Sequence, residues 1–423
     1  MTNQKKSKNY GFWRLWLAQV ISQFGDRITQ MALIGLIAGR TPGSAIELAK
    51  ILTFTIIPVF IVGPVAGVYV DRWDRRTTLF VCDFLRGLLV LSIPFIWMNK
   101  GSLIPIYGTV FLAFCLSRFY VPAKMSIIPD LVEKEDLLFA NSLVSTTGMI
   151  AFVFGCALGG FIVEKWGARG GFLCDAATFF VSGLLVLSIR RHLTTKIKTS
   201  EIIGLSREVL RDIRKSVIQE FKDGLRYLMN HKDIRFIINM LFILFAAAGA
   251  IYVVIIVFIQ DVFGSVTKDL GLLAVFLGIG LFIGSLLYGR LGRKMSVYKT
   301  IFICLILGGM MVVVFSFALS RIPNLILGIG LSFFLGIIVG PIMIAVNTVV
   351  HQVSDESMRG KVFSSLEFVM HFAFLVSMLA SSILAEQFER FWILAAVGII
   401  FTVVGAGGLM RLNKTFIPME KSA

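Results

Sequence analysis

The residues most able to do chemistry in this chain are the amide and ionisable side chains that interrupt its long apolar runs. Gln19, Gln23, Asp26 and Gln30 step by four, three and four positions, which places them on one face of a helix. A charged side chain near the centre of a bilayer costs roughly 3 kcal/mol on the mildest insertion scale, so a carboxylate there demands a partner or a water-filled cavity. Asp26 on such a stripe suits the loading of a proton or contact with a cationic group of a solute. As a purely structural residue it would instead pair with the adjacent Arg27 or with Arg118. Glu367 and His371 stand at i and i+4. A carboxylate beside an imidazole, the side chain most easily titrated near neutral pH, makes a second proton-site candidate; an internal hydrogen bond is the alternative. Arg118 lies within an apolar run, and Asp26 or an anionic group of the solute is its best partner. Asp175, Asn239 and Asn347 read as helix-packing residues.

A different chemistry belongs to the polar run Gly67-Val68-Tyr69-Val70-Asp71-Arg72-Trp73-Asp74-Arg75-Arg76. Arg75 and Arg76 have Asp71, Asp74 or Asp83, and helix ends of the other half, as expected partners. A helix N-terminus such as the one expected near Lys361 carries partial positive charge that favours an anion like Asp71. Such contacts make a latch of Gly67, Asp71, Arg72, Arg75 and Arg76, with Asp83 and Arg86, at i and i+3, as a structural ion pair serving it. Aspartates in this loop add nothing to a topology signal carried by Lys and Arg, which favours the latch over arginines that merely set orientation.

Other chemistries are missing. No GxxxxGK[ST] phosphate loop occurs, which excludes an ATP-driven subunit. Neither an HExxH pair nor a Cys/His cluster occurs, and the five cysteines (Cys82, Cys115, Cys156, Cys174, Cys304) show no CxxC spacing, so no metal centre, cofactor or disulfide framework is expected. The formal charge of +16 is spread by loop instead of forming a nucleic-acid stripe. No enzyme is indicated.

The elements that must position these residues follow from composition. With 57% hydrophobic and 16% charged residues in 423, the chain has too few polar side chains to cover a water-soluble surface. Twelve apolar stretches near the length needed to span a bilayer are expected at 11–37, 46–70, 77–98, 102–122, 139–163, 171–189, 234–259, 269–289, 297–319, 323–348, 362–386 and 391–411. Close glycine spacings such as Gly155 and Gly159, or Gly280 and Gly284, fit tight helix packing. Lys and Arg collect at 72–76, 124–134, 190–232 and 290–299; by the positive-inside rule that side is cytoplasmic, as are both termini. Residues 190–233 are the one long polar segment, and Val209, Leu210, Ile213, Val217, Phe221, Leu225 and Leu228 recur in it at the spacing of an amphipathic surface helix. The expected fold is therefore an all-α integral membrane protein, twelve helices in two pseudo-symmetric six-helix halves, 1–189 and 234–423, joined by that linker. Loops repeat as well: Asp71 to Arg76 corresponds to Gly289 to Lys294, and the acidic run at Glu133 to Asp136 to Asp355 and Glu356.

The 67–76 run, with glycine four residues before Asp-Arg and a basic pair after it, resembles the loop 2–3 signature of the major facilitator superfamily; Asp74 replaces the usual second glycine. Ser22 to Arg27, Pro122 to Lys124, Ile128 to Val132, Ala140 to Leu143 and Cys174 to Phe179 resemble the branch containing macrolide-efflux and enterobactin-export proteins. The resemblance implies a monomeric secondary transporter of the bacterial cytoplasmic membrane, its partners a small-molecule substrate, protons and the lipid bilayer. Phe24-Gly25-Asp26 with Pro122-Ala123-Lys124 is also similar to lysophospholipid transporters, and Gly25-Asp26-Arg27 to ferroportin-like metal exporters, in which Glu367 and His371 would be ligands.

Overall fold

The computed structural model describes residues 3–70, 72–98, 101–189, 232–291, 296–353 and 359–415, and all regular structure among them is helical. In a bilayer no water is available to satisfy backbone N–H and C=O groups, so apolar runs of this length close their hydrogen bonds within helices. In chain order these are α1 (Asn3–Arg40), α2 (Ala45–Ile61), α3 (Gly63–Val70), α4 (Arg75–Ser92, continued by a wider π turn at Ile93–Trp97), α5 (Ile104–Leu131), α6 (Leu137–Leu187), α7 (Lys232–Phe263), α8 (Lys268–Leu291), α9 (Val297–Arg321), α10 (Leu325–Val353), α11 (Arg359–Gln387) and α12 (Arg390–Thr415). Among the described residues nine helical stretches are long and apolar enough to cross a membrane. Their outward faces carry large apolar side chains, among them Phe84, Leu85 and Leu88 on α4, Phe154 and Phe161 on α6, and Ile399, Ile400 and Val403 on α12. Water would not tolerate such continuous surfaces; lipid does.

Several boundaries differ from expectation for identifiable reasons. The helix α5 runs through Pro122 and Pro129 to Leu131 instead of stopping at 122, because neighbouring groups can satisfy the backbone that proline frees inside a membrane helix. The stretch expected at 46–70 is divided at Val62 into α2 and α3, four residues beyond Pro58. At 51 residues α6 is about 75 Å of helix, far longer than a bilayer is thick. It is broken at Gly167, whose φ of 68° and ψ of 177° are open essentially to glycine alone, so it consists of two helical arms, 137–166 and 168–187.

The chain forms two compact units, Met1–Leu36 with Lys50–Asp223, and Ile37–Ala49 with Gly224–Ala423. In the first, α4 packs on α5 and α6, and its core includes Phe12 and Leu15 of α1, Leu79 of α4, Ile127 and Ile128 of α5, and Val144 and Val186 of α6. In the second, α8 packs on α10, α9 on α12 and α7 on α11. There the backbones of α8 and α10 lie so close that a Cβ at Gly280 or Gly284 would run into the carbonyls of Phe333 or Ile337, and Ser285 Oγ donates to Gly340 O at 3.0 Å. The expected amphipathic linker helix lies outside the described residues.

Candidate functional site

Small residues bring α1 against α6. A Cβ at Gly155 would stand 2.9 Å from Arg27 Cβ, and one at Gly159 2.9 Å from the Ile28 backbone. On α1 itself, a Cβ at Gly25 would overlap Asp175 Oδ1 and Thr178 Oγ1. The glycine before Asp26 is thus a condition for seating the second arm of α6 beside it.

That packing collects ionisable groups from four helices. Arg86 of α4 donates from Nη2 to Asp26 Oδ1 of α1. Its Nη1 stands 3.9 Å from Asp83 Oδ1, one turn back on α4, and its guanidinium lies over the Phe179 ring at 4.1 Å from the centroid. Asp83 Oδ2 accepts from Ser182 Oγ at 2.6 Å. Asp175 accepts from Thr29 Oγ1 at 2.5 Å through Oδ2, while the Thr178 hydroxyl, which donates to Asp175 O at 2.7 Å, stands 3.0 Å from Oδ1. Tyr120 and Lys124 of α5, both buried, stand within electrostatic reach of Asp26. The side chains of Asp83 and Arg86 are 0% and 5% exposed, whereas Asp26 keeps 35%, so Asp26 is the least buried member of this trio. Asp26, Asp83 and Asp175 stand around Arg86, and Lys124 adds a second basic side chain near Asp26.

The other expected site residues are distributed as follows. Gln19 is buried and its Nε2 donates to Val144 O at 3.4 Å, while Oε1 has no hydrogen-bond partner among the described residues; the same holds for Oε1 of half-buried Gln23. Gln30 Oε1 accepts from Arg27 at 3.0 Å, and Arg27 also lies over Phe152. The partner of Asp26 is therefore Arg86, on a helix that spacing within α1 cannot reveal. Arg118 is half-buried on α5. His371 Nδ1 faces the backbone carbonyl of Glu367 at 2.8 Å, with the Glu367 side chain in an exposed position.

In the loop, Asp71 lies outside the described residues, Arg72 is exposed, and Gly67 borders open space. Asp74, standing where a second glycine is usual in the resembling signature, caps α4: its Oδ1 accepts from Thr77 N at 2.7 Å. Among the described residues the two arginines take other partners than those expected. Arg75 pairs with Asp130 of α5 at 2.6 Å and donates to Ser126 O. Arg76 donates to Val186 O and Leu187 O, and Arg14 to Ser188 O, so both basic side chains cover the carbonyls at the C-terminal end of α6. Asp83 and Arg86 belong to the interior cluster with Asp26 instead of to this loop. Sequence reasoning took Asp175 for a packing residue and passed over Thr29 and Ser182. The available signal was the spacing of Asp175, Thr178, Phe179 and Ser182, all on one face of a helix.

Apolar outward faces around a buried cluster of ionisable side chains mark a polytopic membrane protein. Residues 7–351 match the model of the transmembrane secretion effector family, and the chain belongs to this family of the major facilitator superfamily. Among its relatives, the uncharacterized MFS-type transporter YkuC of Bacillus subtilis is 25% identical over 86% of this chain and 83% of that one. Macrolide efflux protein A of Streptococcus pyogenes is 22% identical over 89% of each chain. The fold is shared with the crystal structure of a bacterial homologue of the human lysosomal transporter Spinster, inward-facing and unoccupied, at a TM-score of 0.70 and 13% identity over 98% of both chains.

Proposed function

We propose that this protein is a proton-coupled exporter that moves a small or medium-sized amphiphilic compound out of the cytoplasm or inner leaflet by alternating access. The observation that carries the proton coupling is the cluster of Asp26, Asp83 and Asp175 about Arg86, with Asp26 the least buried of the acidic pair that Arg86 contacts. Burying that much charge is costly unless the site uses it. The efflux direction is supported by the relationship to macrolide efflux protein A. For the architecture we infer twelve spans in two six-helix halves in a bacterial cytoplasmic membrane, with both termini inside. The break at Gly167, which turns one long helix into two arms, and the continuity of α2 and α3 as one span interrupted only at Val62 support this count.

The test is flux in proteoliposomes, with a labelled macrolide and a lipophilic cationic dye as probes. An imposed pH gradient should drive wild-type protein to move at least one probe uphill. Asp26→Asn keeps the shape of the side chain but cannot titrate, so it should lose uphill transport and retain downhill exchange. Glu367→Gln and His371→Gln should retain gradient-driven transport. Uphill transport by Asp26→Asn, or no response of either probe to the gradient, overturns the reading.

A further inference from the structure

We propose that the groove between the ends of α7, α9 and α12 holds one anionic phospholipid of the cytoplasmic leaflet, kept by its headgroup and upper chains as a resident lipid and not as cargo. The groove has a volume of about 380 Å³ and is lined by Asn239 and Ile243 of α7, Phe302 and Leu305 of α9, and Gly407 and Gly408 of α12. It exists because two neighbouring glycines meet different surroundings. A Cβ at Gly408 would strike the Phe302 ring, so that residue lets α12 close on α9, whereas a Cβ at Gly407 would meet nothing within 4 Å. Val403 and Met410, four before and three after Gly407, are exposed apolar side chains, as is Phe242 of α7. The groove therefore opens on a surface that lipid covers.

The charge at its mouth selects among lipids. The lining residues lie near the starts of α7 and α9 and the end of α12, so these three ends stand side by side. One turn further out, each helix has a basic residue: Arg235, four before Asn239; Lys299, three before Phe302; and Arg411, four after Gly407. Positions three or four apart share a helix face, so the register places all three residues at the mouth of the groove. Lys232 and Lys414 follow within another turn, against one acidic residue, Asp233. Such a basic rim between membrane helices suits the phosphate of an anionic headgroup. Exposed Asn239 stands between the rim and the apolar floor, where its amide can donate to a glycerol ester. From Asn239 to Ile243 the groove runs about 6 Å along α7, a depth that takes the esters and upper chain segments while the tails continue into the bilayer. A cationic amphiphile would be repelled by the rim, and no carboxylate lines the groove to receive it. In the proposed topology these ends are cytoplasmic, on the leaflet that carries anionic lipid.

The test uses purified full-length protein in detergent, with native mass spectrometry counting retained lipid as phosphatidylglycerol is titrated against phosphatidylcholine of the same chains. Wild type should retain one phosphatidylglycerol in preference to phosphatidylcholine. Loss of one basic side chain near a membrane surface lowers affinity for anionic lipid about fivefold. Arg235→Gln, Lys299→Gln and Arg411→Gln combined should therefore lower it about a hundredfold and abolish the preference. Gly407→Leu puts its side chain into open space, so the melting temperature should hold while retention of both lipids falls at least about tenfold. Lys134→Gln, at an exposed basic position in another loop, should bind as wild type does. Should the triple variant fail to fold, Gly407→Leu decides alone, and the reverse holds. Equal retention of the two lipids by wild type, an undiminished preference in the triple variant, or undiminished retention in Gly407→Leu overturns the proposal. So does displacement of phosphatidylglycerol by a lipophilic cationic dye, which would make the groove a cargo site, or a wild-type dimer that Gly407→Leu dissociates, which would make it a contact between two copies.

Discussion

Asp74 shows how much a single side chain can decide at the loop before α4. Its carboxylate satisfies the backbone of Thr77 and also takes the Thr77 hydroxyl, so it closes one of the orphan donors at the start of α4 and places an anion at the positive end of that helix. Loss of an N-cap costs about 1 kcal/mol. Asp74→Ala is expected to lower the thermal unfolding temperature in detergent, and Asp74→Asn, which keeps the accepting oxygen, to retain most of the stability. Unchanged melting in Asp74→Ala would remove the cap from the account of α4. At this scale the sequence was legible in part. That Asp26 needs a partner follows from its place in an apolar run, but the identity of Arg86 does not, because the two are 60 positions apart and periodicity relates only residues on one helix. The pairing of Arg75 with Asp130 was hidden for the same reason.

At the scale of elements, run length and composition reveal where helices exist, and they fail at the ends. The helix α1 begins at Asn3 and includes Lys5, Lys6 and Lys8, since a helix can project into water without any change in its backbone bonding. In α5, proline marks no terminus. Gly167 is a sharper case. Hydropathy predicts a polar gap between 163 and 171, whereas the chain turns within a single residue whose backbone conformation excludes a side chain. Gly167→Ala is therefore expected to destabilise the protein by about 1–3 kcal/mol, the usual cost of holding a non-glycine residue in such a region. Gly63, at the start of α3, has no positive φ, and a Cβ there would meet nothing within 4 Å. Gly63→Ala, the control, should be neutral or slightly stabilising. Equal melting temperatures for the two variants would show that the break at Gly167 is not held against strain.

At the scale of the whole molecule, loop charge is the strongest signal in the sequence, because Lys and Arg content orients short loops whatever the helices carry. Charge says little about which loop atoms meet. The segment Ile37–Ala49 groups with the second unit, held by Glu386, which accepts from Ser44 Oγ at 2.9 Å and Ile46 N at 3.1 Å, and by Arg390, which donates to Gly43 O at 2.7 Å and pairs with Asp261 at 3.2 Å. No hydropathy pattern contains that. Orientation itself can be tested at two exposed positions, Ser102 between α4 and α5 and Glu135 between α5 and α6. If both termini are inside, as proposed, the spans alternate so that Ser102 would face outward and Glu135 would lie in the basic, cytoplasmic set with Lys134. In a background with the five cysteines replaced, Ser102→Cys should react with an impermeant thiol reagent on intact cells, and Glu135→Cys only after permeabilisation. Equal reaction of both on intact cells would invert or break the alternation. Asp26 and Arg86 would then have to be reached from the other face of the membrane, and an outward direction of proton-driven transport would lose its footing.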